Sequence, residues 1–407
     1  MERHAEALAL QQHAGRAGAV ELREDSAALG AAAYAAGATL PLPKVTAVVI
    51  NYNYGRYLRR CVGSLLDQDY PNLEIVVVDN ASTDESHSVI SALKDEYSAL
   101  TIVWMERNEG PMGGGLHGME AGTGEFICFI DADDFYLPGF VSAHVQAHLA
   151  ARTPIGVTTS RVLTVDENEA VVAGGLFRSE ETVDFVWPAL RGGHETVRLP
   201  TIDEAEYETL RNACAVFPDD LPGWLWTTGA GSANMFRRQI VELARPDRVR
   251  PDLGGIAADG YYMSIDSYYL YLGYWLAGCA AIGLPLVAYR IHGSNMKNRM
   301  LSMRHFNGSI GRADAWSRRR RLDRADVLLS LAPNLADHIA PKRLFQILQM
   351  ALPPSFNLDD PEVLALFERH SSNLVNHFGV KHVGRQTPSE FLHAQRQQPI
   401  REGAIRL

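Results

Sequence analysis

Between residues 45 and 130 the chain alternates short apolar runs with stretches of helical period, and that alternation leaves few folds open. Val45–Ile50 (VTAVVI) is a continuous, mostly β-branched run, the pattern of a strand buried on both faces. Leu58, Cys61, Val62, Leu65 and Leu66 then recur at i, i+3, i+4, i+7 and i+8, the apolar stripe of a helix. Glu74–Val78 (EIVVV) predicts a second strand, Ser86–Tyr97 a helix, Thr101–Met105 a third strand and Glu125–Ile130 (EFICFI) a fourth. Strands separated by helices need right-handed crossovers, so the expected class is α/β with a mostly parallel sheet flanked by helices. In such a sheet ligands lie at the carboxyl ends of the strands. Those ends are polar here: Asn51-Tyr52-Asn53 after the first strand, Asp79 to Asp84 after the second, and Asp131-Ala132-Asp133-Asp134 after the fourth.

The flanks read differently. Residues 1–43 hold 14 alanines, show little periodicity and end in Pro41-Leu42-Pro43, which suggests a flexible or partly helical leader. Ile155–Thr159 reads as another strand, residues 202–213 as a helix, and the turn Thr227–Ser232 precedes a helix at Arg237–Ala244. Tyr268–Tyr289 is 22 residues without a formal charge, long enough to cross a bilayer, but Gly273, Gly278, Gly283, Pro285 and five tyrosines break it. A buried helix followed by a short strand is the better reading. From about 302 to 400 the pattern is helical, punctuated by Pro333, Pro341, Pro353-Pro354 and Pro361. The expected division is a leader (1–43), a catalytic domain (44–300, with halves 44–150 and 151–300) and a helical C-terminal extension (301–407), a candidate docking or homodimerisation module.

A net charge of −10 argues against nucleic acid as a partner, because phosphate neutralisation needs a basic face. Cys61, Cys128, Cys214 and Cys279 are widely spaced, as expected of buried thiols in a reducing compartment. Glu2, Arg3, His4 and Glu6 precede any apolar run, unlike a secretory signal. The expected location is cytoplasmic, with contact at the inner membrane surface as an option.

Three carboxylates within four positions at a strand end repel one another unless a cation neutralises them, and an all-oxygen set suits Mg²⁺ or Mn²⁺. Such an ion would also carry a diphosphate. The same DADD also fits a helix cap with a solvated turn. Asp79, directly after its strand, is placed to accept from the ring N–H of a nucleobase, with Tyr52 as a stacking face. Ser82, Thr83 and Asp84 are good N-cap types, and Asp84 reads as a cap.

The segments VTAVVINYNYGRYLRRCVGSLLDQDYPNLEIVVVDNASTDES, RNEGPMGGGLHG and GEFICFIDADD resemble, in order and spacing, the N-terminal half of family-two inverting glycosyltransferases of the GT-A fold. The likeness is dense over about 44–140 and thinner to about 295. It implies that Asn51, Tyr52, Asn53 and Asp79 hold the base of a nucleotide sugar, commonly a uridine. It also implies that Asp131 reaches the ribose or metal region and that Asp133 ligates the metal. Relatives often carry an Arg-Asn pair where Gly115-Leu116 stands; His117 or the N–H groups of the glycine run are substitutes, and a close-packed hinge is the alternative.

An inverting transfer needs a carboxylate beside the acceptor. The family places it in an acidic pair before an apolar helix. The match is Ser264-Ile265-Asp266, with Ile265 where an acid often precedes, so Asp266 is the candidate base and Asp259 its rival. In Tyr289-Arg290-Ile291-His292 the family position brings His292 toward the metal or diphosphate, although a histidine after a strand also serves as an ordinary hydrogen-bonding group. Trp224, Trp226 and Gly229-Ala230-Gly231-Ser232 would face the acceptor, with core packing the alternative for the aromatics. Arg318–Arg321 reads as a solvated helix face or as a contact for an anionic acceptor or membrane. The resemblance implies a metal-dependent inverting glycosyltransferase, moving a hexosyl or N-acetylhexosaminyl group from a nucleotide-diphosphate sugar to a glycan, lipid-linked sugar, peptide or small molecule. A sugar-phosphate nucleotidyltransferase and a nucleotide-sugar-binding protein without transfer are the alternatives.

Overall fold

The computed structural model describes residues 41–151, 154–173, 215–217, 231–258, 260–293, 310–337, 339, 344, 347–348, 351–352 and 360–377. The chain divides after Pro43, and the elements below belong to the unit Lys44–Leu407.

The strands are β1 (Val45–Asn51), β2 (Leu73–Asp79), β3 (Thr101–Trp104), β4 (Phe126–Asp131), β5 (Phe135–Tyr136), β6 (Val157–Val165), β7 (Val171–Ala173), β8 (Ala215–Phe217), β9 (Asn234–Arg237) and β10 (Cys279–Arg290). The helices are α1 (Gly55–Leu66), α2 (Ser86–Glu96), α3 (Gly110–Ala121), α4 (Phe140–Ala150), α5 (Arg238–Leu243), α6 (Ile265–Ala277), α7 (Ile310–Ser330), α8 (Ala332–Ala336), α9 (Pro361–Arg369) and α10 (Ser371–His377). One sheet runs in the order β3-β2-β1-β4-β9-β6-β10-β5, with β7 on β6 and β8 on β10. The first four strands are mutually parallel, β9 inserts antiparallel between β4 and β6, and β10 lies parallel to β6. The order reverses at β1, since β2 and β3 lie on one side of it and β4 on the other. A crevice opens at such a switch point, outside the carboxyl ends of the strands.

Both faces of the parallel half are covered, which is why its strands read as unbroken apolar runs. Val48, Ile50, Val76 and Val78 point into a core shared with α3 and α6, whereas Val45, Ala47, Val49, Ile75 and Val77 point into a core shared with α1, α2 and α4. In α1 the stripe Leu58, Cys61, Val62 and Leu65 is buried, but Leu66, at the end of the helix, is exposed. The tail joins the first core: Val327, Leu328, Leu331, Val363, Phe367 and Leu374 belong to the same cluster as Val48. The uncharged stretch resolves into α6 and a twelve-residue β10, longer than the expected short strand, with Pro285 at a register shift where its missing N–H is tolerated. Among the described residues no helix is long and apolar enough to cross a membrane. Cys61, Cys128 and Cys279 are buried; Cys214 lies outside the described residues.

Sequence periodicity gave no helix at Gly110–Ala121, because a run of glycines carries no apolar stripe. The glycines serve close approach instead. A Cβ on Gly118 would lie 2.2 Å from Val48 Cγ1 and 2.9 Å from Val78 Cγ2, both on stiff β-branched side chains. Gly118→Ala gains roughly 1 kcal/mol of helix propensity but overpacks this contact at a cost of about 1–3 kcal/mol. A net loss of stability in urea unfolding is the expected result, and a gain would mean that α3 can slide on the sheet.

In α4, His144 is buried with Nδ1 2.7 Å from Thr158 Oγ1, and His148 Nε2 donates to the Met235 carbonyl at 3.2 Å. Burial holds both neutral, pushing His144 well below its ordinary value and His148 down to about 3. An unfolded chain protonates these rings near pH 6.5, and the folded one does so only far lower. Their contribution is therefore complete above about pH 6.5 and is lost as pH falls toward 3, at up to about 1.4 kcal/mol per pH unit for each ring. Urea unfolding of wild type and His148→Gln between pH 7 and 5 checks this, with a shallower slope expected in the variant.

Candidate functional site

Strand register assembles the site. Asn51 pairs with Asp79 across β1 and β2, and Ile50 pairs with Asp131 across β1 and β4, so the ends of three strands stand in one row at the switch point. Asn51 Nδ2 donates to Asp79 Oδ1 at 2.9 Å and to Ser82 Oγ at 3.1 Å, while the Ser82 N–H donates to Asp79 Oδ2 at 3.2 Å. Asp79 is thereby buried and oriented, and the buried Asn51 Oδ1 has no hydrogen-bond partner among the described residues. Asn53 takes a left-handed conformation (φ 58°), which Asn tolerates, and its Oδ1 accepts from the Thr83 N–H at 2.7 Å. Tyr52 is 42% exposed at the rim, the open aromatic face of the row. Asp84 is not itself an N-cap; it lies one residue before the N-cap Glu85, and its carboxylate accepts from the N–H groups of Ser86 and Gly55, the first residues of α2 and α1, each at 3.0 Å. Burial opposes its ionisation, and those bonds outweigh the burial and lower its pKa.

Asp131, Asp133 and Asp134 offer carboxylate oxygens within 4.8 Å of one another. Their surroundings separate their roles. Asp134 is fully enclosed: Ser232 Oγ donates to its Oδ2 at 2.6 Å and the Arg290 N–H donates to its Oδ1 at 2.9 Å. Burial first, then the charges of Asp133 and Asp131, hold its carboxyl well above the usual range. Asp134 is thus the anchor of the turn. Asp133 Oδ2 lies 2.9 Å from His292 Nε2, both side chains buried, and the ring packs against Tyr57 and Tyr54 with centroids 5.1 and 5.3 Å away. Asp131 is the exposed member, and its backbone N–H donates to Ser232 Oγ at 3.3 Å. An all-oxygen donor set this close fits a divalent cation held by Asp131 and Asp133. His292 faces Asp133 and orients that carboxylate.

Asp266 sits in the first turn of α6, whose N-cap is Ser264, so it is not itself the cap. A Cβ on Gly231 would come within 3.0 Å of Asp266 Cβ and 3.1 Å of its Cγ. The next residue, Ser232, is buried and holds Asp134, so one short turn links Asp266 to the acidic cluster. Ser232 therefore spends its hydroxyl on that cluster. Trp224, Trp226, Gly229, Ala230 and Asp259 lie outside the described residues.

The two departures from the family pattern meet. A Cβ on Gly115 would fall 2.1 Å from Ile265 Cδ1, so Gly115 and Ile265 fill one space. Gly113 presses on the Gly254 carbonyl and Gly114 on Ile50, which favours the packing reading of the glycine run over a phosphate cradle. His117 lies 3.3 Å from Glu109, on the outer face of α3.

Sequence reasoning missed three contributors. Tyr54 faces the cluster, its hydroxyl pushed up by burial and then by Asp133, Asp131 and Asp134. Tyr262 is pushed up to about 12, chiefly by burial, with Asp131 and Asp266 adding. Arg290 is buried, and its Nε donates to the Asp133 carbonyl at 2.9 Å. The repeated tyrosines of NYNY and the Arg beside His292 were the available signals. Arg318–Arg321 is half-buried: Arg318 pairs with Asp360 and Glu362, and the Arg319 guanidinium lies 3.9 Å from the Tyr261 ring centroid.

The parallel half of the sheet is doubly wound, with helices on both faces, and carries an acidic turn at its switch point. Residues 46–242 match the family model described as glycosyl transferase family 2. It is 28% identical over 252 residues to an uncharacterized glycosyltransferase of Nostoc sp. strain PCC 7120, covering 62% of this chain and 66% of that protein. It is 33% identical over 106 residues to the GalNAc(5)-diNAcBac-PP-undecaprenol beta-1,3-glucosyltransferase of Campylobacter jejuni, covering 26% of this chain and 34% of that protein. The chain thus spans between about a third and two thirds of these relatives' lengths. Among solved structures, Staphylococcus aureus TarS 1–349 in complex with UDP-GlcNAc aligns over 81% of each chain at 13% identity and a TM-score of 0.44.

Proposed function

We propose that the protein is a metal-dependent inverting glycosyltransferase that moves a sugar from a nucleotide-diphosphate donor, UDP-linked by preference, to an acceptor hydroxyl. The observation that carries this reading is the row Asp79, Asn51 and Asp131 at adjoining strand ends, with Asp133 beside it and Asp266 one turn away. Asp79 takes a nucleobase ring N–H, aligned by Asn51 and Ser82, and Tyr52 stacks on the base. Asn53 keeps that loop in place through Thr83. Asp131 and Asp133 hold Mg²⁺ or Mn²⁺, which when bound supplies the positive charge a diphosphate needs at this acidic turn. Asp266 accepts the proton of the acceptor hydroxyl as its oxygen attacks the anomeric carbon. The bond from that carbon to the diphosphate oxygen breaks on the opposite face, and the nucleoside diphosphate leaves with the electron pair. The Campylobacter relative's name gives an undecaprenol-linked substrate, which favours a lipid-linked saccharide acceptor and work at the inner membrane surface.

Mass spectrometry of a donor panel with added Mn²⁺ tests the reading through donor hydrolysis, which requires no acceptor. Metal-dependent release of a nucleoside diphosphate from one donor is expected. Release of none, or release unaffected by EDTA, would count against it.

A further inference from the structure

We propose that a second cavity, beside the segment that precedes Asp266, is a saccharide subsite for the distal sugars of an extended acceptor. This rests on the glycosyltransferase reading above. The cavity holds about 660 Å³ and is walled by the outer face of α3, by residues 245–257, by Tyr261 and Met263, and by Arg319 of the tail helix α7. That volume lies within the ordinary range of ligand sites.

The lining selects the ligand. Four carboxylates, those of Glu109, Glu120, Asp247 and Asp252, stand among the guanidinium groups of Arg107, Arg245 and Arg319. A phosphate or other anion would be repelled by the acids, and Arg245 is already held by Glu120 at 2.7 Å and by Asp247. A lipid chain would meet this charged rim, since Leu116, Leu253 and Met263 turn into the core and expose little. A neutral saccharide matches both features of the wall. Its adjacent hydroxyls fork between carboxylate oxygens and guanidinium N–H groups, and its C–H faces take the exposed Ile256.

The position matches as well. Ile256 and Tyr262 form an antiparallel bridge. Tyr261 and Met263 line the cavity, and Met263 precedes the candidate base Asp266 by three residues. The wall of the cavity therefore leads directly into the turn that carries Asp266. The tail fixes that wall from behind: Tyr261 Oη donates to Asp323 at 2.7 Å, and Arg319 covers its ring.

A Cβ on Gly254 would meet nothing within 4 Å, and one on Gly255 meets only the Asp252 carbonyl at 3.9 Å, so either position admits a side chain that fills the cavity. An array of neutral, anionic and lipid-linked glycans, probed with the full chain and with Gly254→Trp and Gly255→Trp, tests the proposal. Wild type should retain neutral glycans of two or more sugars, and the Trp variants should bind them about tenfold more weakly or worse, the scale of losing one sugar's contacts. Retention of no neutral glycan, preference for anionic glycans, or equal retention by folded Trp variants would overturn it. Donor hydrolysis in the same preparations separates the two readings. Hydrolysis without glycan retention defeats the subsite alone, and retention without hydrolysis of any donor defeats the transferase reading.

Discussion

Asp133→Asn is expected to reduce metal-dependent donor hydrolysis and transfer by about a thousandfold or more, the scale of removing one electrostatic partner of the reacting charge. Asn keeps the volume of Asp and can still hydrogen-bond His292 Nε2, now 2.9 Å from the carboxylate, so the Tyr54–Tyr57–His292 packing is retained. What disappears, on the proposed reading, is one of the two charges that would hold the cation. Calorimetry with a nucleotide sugar and Mn²⁺ should therefore register a loss of donor affinity. Asp266→Asn is expected to behave differently, leaving donor affinity within about twofold while transfer falls by roughly a hundredfold to ten-thousandfold, as loss of a general base does. The split follows from placement: Asp133 belongs to the β4 turn, whereas Asp266 starts α6 and reaches that turn only across Gly231 and Ser232. Full turnover in both variants would remove the assignment of the site, and equal loss of donor binding in both would make Asp266 a member of the donor pocket.

The parallel half of the sheet was legible because its chemistry is local. A strand buried on both faces must be continuously apolar, and a polar residue that ends it lies at the crevice, so the place of Asn51, Asp79 and Asp131 at adjoining strand ends was legible from the run lengths. The glycine helix α3 was not legible, since its rule is one of absence: Gly113, Gly115 and Gly118 matter for what a side chain would strike on Gly254, Ile265 and Val48, and those partners are distant in sequence. For the same reason the departures at Gly115 and Ile265 looked independent until the fold brought them into contact. The inserted strand β9 is four residues long and pairs antiparallel with β4 and β6, too short for a period to declare itself. The arginine run is only half solvated, and the acids that face Arg318, Asp360 and Glu362, arrive some forty residues later, beyond the reach of a local charge pattern.

Arg290→Met is expected to destabilise the fold by about 3–5 kcal/mol, the range for removing one partner of a buried charged network, and to disable the acidic turn in whatever protein still folds. The guanidinium is buried among the rings of Tyr57 and Phe135, with centroids 4.8 and 5.4 Å away. It donates to the carbonyls of Asp133 and Glu167 and to Glu169 Oε1 at 2.9, 3.2 and 3.0 Å. Met replaces the packing but none of these bonds, so the Asp133 carbonyl loses its buried donor and the β6–β7 hairpin loses its tie to the site. Arg290→Lys should recover little, because one ammonium group cannot spread over three acceptors in a plane. Glu169→Gln is the counterweight: that partner is 37% exposed, and loss of its charge should cost under about 1 kcal/mol. Urea unfolding of the three variants, followed by donor affinity of the folded fractions, therefore distinguishes a charge pair from a backbone clamp. If Glu169→Gln is as damaging as Arg290→Met, the ion pair is what matters; if only the Arg290 variants lose metal-dependent donor binding, the hydrogen bond to the Asp133 carbonyl is what sets the acidic turn.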